Sequence, residues 1–441
     1  MQEYPDNVLK EQLTLWPVTR ETDHPSQEDE SSANSPEIIQ VSFRDLVPEI
    51  KDTGYLTHSI YYYPAKFIPH VIRYCVQSFT KENDWLVDPF AGSGSVGLEA
   101  YLFQRNSFLL DLNPLLNHII PVKIYRGKTA LSEGVMFKLL NALPESNIYF
   151  YPQWANLKYW YPSEILDVLS RYWGWQKSLG GDIYSAIIES ALLKVSKHFS
   201  YAEHKVPKLF KSKRKIQYIE GLRQTGWRDK LDEMVFTLSL EALKAINQLI
   251  FMTAGHDNEA IFKGGVDSSD YQFDAGMEFD ILITSPPYLQ AQEYIRTAKM
   301  DLYWLGYNDQ EIKRLSQLEI PYRKPNRMIH TKTLEGIKSQ LRRDDLIKVL
   351  DSYFCHTINA LENAMNRLKK GAKACIFIGS PKCDEVEVES WKIVMEYFAD
   401  KGYSYQGVYE DKIKNRQLFG SRKNKNPEGM KAEYLLILNK V

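Results

Sequence analysis

The sequence predicts an α/β fold: an open, mostly parallel sheet wound by helices, interrupted by a mostly helical insert. The apolar run Phe279-Asp280-Ile281-Leu282-Ile283 reads as a buried strand, stopped by Thr284-Ser285-Pro286-Pro287-Tyr288. Neither proline can donate to a ladder, and each fixes its own φ. Upstream, Trp85-Leu86-Val87-Asp88 leads into a glycine-rich turn and then a helix, the strand–turn–helix order of parallel α/β sheets. Between these two stretches, residues 127–255 lose the strand–helix alternation and keep helical periodicity alone.

The 441 residues, 44% of them hydrophobic, suffice for one large or two modest domains with a real core. The net charge of −1 excludes a globally basic protein, so any nucleic-acid contact must come from local patches. Four cysteines, at 75, 355, 375 and 383, have neither metal nor disulfide spacing, which suits a reducing compartment. No metal site is expected, and no apolar run is expected to reach membrane-spanning length.

Residues 1–50 read as an N-terminal tail, disordered or docked on a partner, with Thr22 to Pro36 polar and rich in Pro, Ser and Glu. Pro69–Phe79 has helical spacing of Val71, Ile72, Cys75, Val76 and Phe79. The first strand, its turn and helix, and a second strand at Ser107–Leu110 follow; Leu115–Ile124 then leads away from the sheet. In the insert, Leu131–Leu143, Ser163–Lys177, Ile183–His198 and Asp229–Met252 read as helices. The run from Lys205 to Tyr218 is basic, interleaved with aromatics, and reads as a loop. The aromatic-dense segments Tyr149–Trp154 and Tyr159–Tyr161 read as helical core. The sheet resumes at Ala260–Asp267; Tyr294–Tyr307 reads as a helix and 308–345 as a basic, mobile, DNA-facing region. A helix is expected over Asp345–Leu368 with Gly371 at its C-cap. Strand Lys373–Ile378, helix Glu389–Lys401 and strands Tyr403–Tyr409 and Tyr434–Leu438 finish the chain, the last two joined by a basic loop, Arg416–Lys425.

The proline loop stands at a strand's carboxyl end, where open α/β sheets place ligands. It offers one small hydroxyl, free carbonyls and one aromatic ring, a set that suits a planar ring bearing an amine. Glycines 92, 94 and 97 let backbone approach a ligand closely. A lone G-x-G-x-x-G is a weak signal that leaves a nicotinamide enzyme open. Asp111 falls roughly 20 residues past the turn, where an acid binds ribose hydroxyls, so an adenosine ligand is inferred.

Together the motifs resemble those of amino-group DNA methyltransferases. Asp88-Pro89-Phe90-Ala91-Gly92-Ser93-Gly94 resembles their S-adenosylmethionine loop, and Thr284-Ser285-Pro286-Pro287-Tyr288 their catalytic loop. Ser in the first catalytic position is the form usual for cytosine-N4 enzymes; Asp is usual for adenine-N6. His58 to Phe67 resembles the segment that closes over the methionine end of the cofactor. The resemblance covers roughly residues 51–125 and 255–441. It implies a Rossmann-like class I methyltransferase sheet in two parts, a cofactor half at 51–126 and a catalytic-loop half at 256–441, with target recognition in the helical insert at 127–255.

By the same resemblance, Ser285, Pro286, Pro287 and Tyr288 are catalytic. The cofactor would lie on Tyr63, Pro64, Lys66, Phe67, Asp88, Pro89, Phe90, Ala91, Gly92, Ser93, Gly94, Asp111, Asn113, Asp267 and Thr284. DNA contacts are expected from Lys205, Lys208, Lys211, Lys213, Arg214, Lys215, Arg323 and Arg327. The implied reaction transfers a methyl group from S-adenosylmethionine to the exocyclic N4 amine of a cytosine flipped out of duplex DNA. Adenine N6 and an RNA amine, as in tRNA guanine-N2 enzymes, are the alternatives, with a non-catalytic DNA-binding module a further one. A cytosine-C5 mechanism needs a Cys nucleophile, typically in a Pro-Cys pair, and no Pro-Cys occurs. The implied setting is a restriction-modification or defence system in the bacterial or archaeal cytoplasm, at the nucleoid. The implied partners are double-stranded DNA and a cognate restriction endonuclease or defence proteins, the protein itself acting as a monomer.

Overall fold

The computed structural model describes residues 36–63, 66–203, 209–289, 293–320, 323–413 and 430–441. Eight strands form the main sheet: β1 (Ile38–Val41), β2 (Trp85–Asp88), β3 (Asn106–Asp111), β4 (Ala260–Gly264), β5 (Phe279–Thr284), β6 (Leu368–Gly379), β9 (Tyr403–Lys412) and β10 (Ala432–Lys440). The two-residue strands β7 (Lys382–Cys383) and β8 (Val386–Glu387) pair only with each other. The order across the main sheet is β1-β9-β10-β6-β5-β2-β3-β4. From β4 to β6 the strands are parallel; β10 runs antiparallel to both neighbours. An antiparallel strand wedged beside the fifth parallel one is the expected Rossmann-like methyltransferase sheet. The direction of winding reverses between β2 and β5, and there the carboxyl ends of two strands open a crevice.

Both faces of the sheet are covered, so its central strands are apolar on both sides. Successive side chains alternate faces: Leu86, Ile281 and Ile283 join one cluster with Val71, Ile72 and Leu98, while Val87 and Leu282 join the other with Phe108, Leu361 and Trp391. The insert's four expected helices are present, at Glu133–Ala142, Ser163–Ser178, Ile183–His198 and Trp227–Met252. Their core does not stop at the insert. Trp154 stacks on Tyr303 at 4.6 Å and Trp173 on Trp304 at 5.6 Å, so the helix Tyr294–Leu305 after the proline loop belongs to the same apolar cluster.

Several expectations need correction. Residues 36–50 are not tail: β1 adds a parallel strand to β9, and Phe43 is fully buried behind it. Gly371 is not a helix cap. The helix ends at Met365, and Gly371, at φ +79°, lies inside β6 where pairing with β5 skips from Leu368 to Lys373. There it allows a bulge. The basic run is partly helical. The Ser212 hydroxyl caps Lys213–Gln224 by accepting from the Lys215 amide; N-cap chemistry outweighed the charge pattern. The 308–345 region holds two helices, Asp309–Leu318 with a capping box from Asn308 and Glu311, and Lys332–Gln340. Finally, Trp227–Met252 has 26 residues and an 18-residue stretch of mean hydropathy 1.3, long and apolar enough to cross a membrane. In this fold its Leu231, Val235, Leu243 and Ile246 pack into the helical core.

Candidate active site

The turn after β2 forms the floor of the crevice. Gly92 and Gly94 take φ of +54° and +71°, the left-handed region that favours glycine. The Gly92 amide donates to Asp111 Oδ2 at 2.7 Å, tying the turn to the end of β3. A Cβ on Gly94 would lie 2.0 Å from Ile120 Cδ1 in the core below. Gly94→Ala is therefore expected to cost about 2 kcal/mol from the left-handed backbone and overpacking. A chemical-denaturation midpoint equal to wild type would contradict it.

Thr284, at the end of β5, donates its hydroxyl to Asp88 Oδ1 at 2.6 Å; Phe90 N donates to the same oxygen at 3.0 Å. Thr284 thus joins the two loops from beneath, buried, instead of facing a ligand. The next residues turn upward: Ser285 and Pro287 line the pocket together with the β2 turn. The Tyr288 hydroxyl donates to Glu433 Oε1 on β10. Burial pushes the Tyr288 hydroxyl well up and the Glu433 carboxyl up. The bond to Glu433 therefore ties the Tyr288 ring to β10.

Three carboxyls stand on or under this pocket with little water. Burial pushes Asp88 up to about 7, Asp111 to about 6 and Glu319 to about 7. Such groups hold a proton in the folded state at a pH where the unfolded chain has lost it. Their contribution to stability therefore falls as pH rises from the ordinary carboxylate range, about 4, toward the raised value. Asp88→Asn cannot titrate. Its stability relative to wild type is expected to increase by about 1–3 kcal/mol between pH 4 and pH 7, read from paired urea-unfolding curves. A constant difference across that range would show Asp88 to be ionised throughout.

Of the expected cofactor residues, Tyr63, Lys66, Phe67, Asp88, Pro89, Phe90, Ala91, Gly92, Ser93, Asp111, Asn113 and Asp267 meet around one pocket. Gly94 and Thr284 lie under it, and Pro64 falls outside the described residues. Lys66 donates to the Thr53 and His58 carbonyls at 3.0 and 3.2 Å, and burial lowers it to about 8.

The expected DNA contacts separate. Lys215 points inward, its Nζ donating to the His198 carbonyl, and burial lowers it to about 8. Lys211 sits 3.6 Å over the Tyr159 ring and Arg214 pairs with Glu203 at 3.2 Å. Lys213 is exposed, while Lys205 and Lys208 lie outside the described residues. Arg323 lines the pocket beside the glycine turn instead, paired with Asp267, and Arg327 pairs with Glu362 at 2.6 Å.

Sequence reasoning missed the support beneath the pocket. Glu99, on the helix Ser95–Leu102 that follows the glycine turn, is wholly buried. It takes a hydrogen bond from His58 at 2.9 Å, one from Arg73 Nε at 3.0 Å and one from the Tyr55 hydroxyl. Arg73 holds the Glu99 carboxyl at about 2 against the cost of burial, while burial lowers His58 to about 3 and keeps it neutral. Lys123, also buried, donates to the Ser93 carbonyl at 2.8 Å. A carboxylate among Val96, Leu98 and Ala100, and a lysine after Ile119-Ile120-Pro121-Val122, were the available signals.

The pocket's donor set fits S-adenosylmethionine: carboxyls at Asp88, Asp111 and Asp267, apolar walls from Phe67, Phe90 and Val96, and close-approach backbone at Gly92. Comparison with known proteins agrees in kind. A family model described as DNA methylase matches residues 6–120, a span that includes β2, the glycine turn and β3. The chain is also similar to type II methyltransferases. It is 21% identical over 289 residues to M.MvaI of Kocuria varians, covering 61% of this chain and 62% of the relative. It is 23% identical over 319 residues to M.BsoBI of Geobacillus stearothermophilus, covering 63% and 58%. A shorter match, 29% over 101 residues, is to M.MjaII of Methanocaldococcus jannaschii and covers 23% of this chain and 19% of that one. The chain thus spans less than two thirds of the length of each of these relatives. A solved rRNA methylase from Streptococcus thermophilus overlays on 85% of the chain at 8% identity and a TM-score of 0.28, too slight a likeness to argue from.

Proposed function

We propose that the protein is a site-specific DNA methyltransferase that methylates the exocyclic N4 amine of a cytosine flipped out of duplex DNA. The observation that carries this reading is that Ser285 and Pro287 line one pocket with the glycine turn and Asp111. A planar amine held by the catalytic loop would therefore adjoin a ligand held by the cofactor turn. The similarity to type II methyltransferases supports DNA as the substrate and restriction-modification as the setting.

S-adenosylmethionine, when bound, supplies an electrophilic methyl group; Asp111, Asn113, Tyr63, Gly92 and Asp267 are the residues that would hold it. The chain's own residues act on the amine. An aromatic amine is a poor nucleophile because its lone pair is delocalised into the ring. The Ser285 oxygen and the Pro286 carbonyl accept hydrogen bonds from its two N–H groups, which favours a tetrahedral nitrogen and restores the lone pair. Tyr288, its hydroxyl anchored on Glu433, would stack its ring on the base. Positioning supplies most of the effect. Serine in the first catalytic position favours cytosine N4 over adenine N6.

The test is transfer of labelled methyl from S-adenosylmethionine to unmethylated bacterial DNA, followed by nucleoside digestion and mass spectrometry. Label in N4-methylcytosine, lost in Ser285→Ala and Tyr288→Ala, is the expected result. Label in N6-methyladenine would overturn the base assignment alone. Label on tRNA and none on DNA would overturn the substrate.

A further inference from the structure

Beside the cofactor pocket lies a second cavity of about 770 Å³. The insert forms one wall with Trp154, Tyr159 and Trp160; the helices Tyr294–Leu305 and Asp309–Leu318 form the other, with Arg296, Lys299 and Lys313. Trp154 and Trp160 are spent in the core, stacked on Tyr303 and on each other. Tyr159 is not buried there: it is 58% exposed, rests edge-on against Trp160 at 5.1 Å and carries Lys211 Nζ 3.6 Å over its ring. On the facing wall Arg296 is paired with Glu293, but Lys299 and Lys313 make no ion pair among the described residues. The two cavities meet at Glu319, a buried carboxyl that lines both. Its Oε1 accepts from the Ile295 amide at 2.8 Å.

We propose that this cavity is the channel that leads the target strand of DNA to the cofactor pocket, with Tyr159 stacking a base and Lys299 and Lys313 holding phosphates. Lysines facing an exposed aromatic ring, itself topped by Lys211, supply what a single nucleic-acid strand requires: charge for the backbone, a π-system for the base. The two cavities join at Glu319, so a base held in the second lies at the mouth of the first. This rests on the function proposed above, and it places the strand between the insert and the catalytic sheet, away from the basic helix Lys213–Gln224.

The experiment compares wild type, a Lys299→Ala/Lys313→Ala double variant, Tyr159→Ala and Tyr159→Phe. It measures DNA affinity at several salt concentrations, KM for DNA in methyl transfer, and cofactor affinity by calorimetry. Removing two phosphate contacts is expected to reduce the slope of log Kd against log salt by roughly 2, at about 0.9 per phosphate. Tyr159→Ala is expected to raise KM for DNA roughly 5- to 100-fold, and Tyr159→Phe, which keeps the ring, far less. Cofactor affinity should not move, which excludes general unfolding. Unchanged slope and KM in an enzyme whose wild type methylates DNA would overturn the channel and leave the function standing. A wild type that does not methylate DNA would strike the function itself; if the same variants then lost RNA binding, the occupant would be RNA and the DNA assignment would fall.

Discussion

Ser285→Ala should lower kcat for amine methylation by about 10²–10³-fold while leaving cofactor affinity near wild type. The estimate follows from what the hydroxyl does. In the proposed mechanism it is one of two acceptors for the amine, and removing a single preorganised group aimed at developing charge typically costs that much. Steady-state kinetics with saturating cofactor separate kcat from KM for DNA. A loss confined to KM, with kcat intact, would show that Ser285 positions the base and does not act on the amine.

Glu99→Ala should be the most damaging single change to stability, at about 3–5 kcal/mol. The carboxylate is wholly buried and is the shared acceptor for Arg73, His58 and Tyr55. Without it the Arg73 guanidinium is left buried with only the more exposed Glu49, at 3.6 Å, as a counter-charge. Because breaking a buried pair costs far more than replacing both partners, Glu99→Leu combined with Arg73→Leu should recover much of the loss. Urea unfolding of the single and double variants tests this directly. Equal destabilisation in both would mean that packing, and not the orphaned charge, sets the cost. The pair also has a signature in acid. Arg73 holds the Glu99 carboxyl at about 2, so its contribution is complete above the ordinary carboxylate range and is lost as pH falls toward 2.

What the sequence disclosed and what it withheld divide along physical lines. Motifs made of glycine and proline act through backbone geometry, which is local. The β2 turn and the β5 loop were therefore legible, and the structure brings Asp88, Gly92, Asp111 and Ser285 to one pocket. Strongly periodic helices such as Pro69–Phe79 and Ile183–His198 were legible to the residue. Charge was not a reliable guide, because a cation's use depends on which way its helix faces. Lys215 belongs to the most basic run in the insert and is buried against a carbonyl. Arg323, in a basic stretch, turns into the cofactor pocket to meet Asp267. β1 was hidden because four residues, Ile-Ile-Gln-Val, carry too little periodicity to register, and their partner β9 lies at the other end of the chain.

The position of β5 has a consequence for how the protein comes into being. β2 sits between β3 and β5, yet β5 emerges from the ribosome only after the whole insert has been made. Until then β2 offers an open edge, and Asp88 lacks the Thr284 hydroxyl that satisfies it. The glycine turn can fold early, since its bonds to Asp111 are nearby in sequence, but the crevice has only one side. Long-range parallel pairing of this kind is slow and must wait for loop closure. A growing chain therefore carries the glycine turn before the crevice exists, and the crevice gains its second side only when Phe279–Thr284 docks.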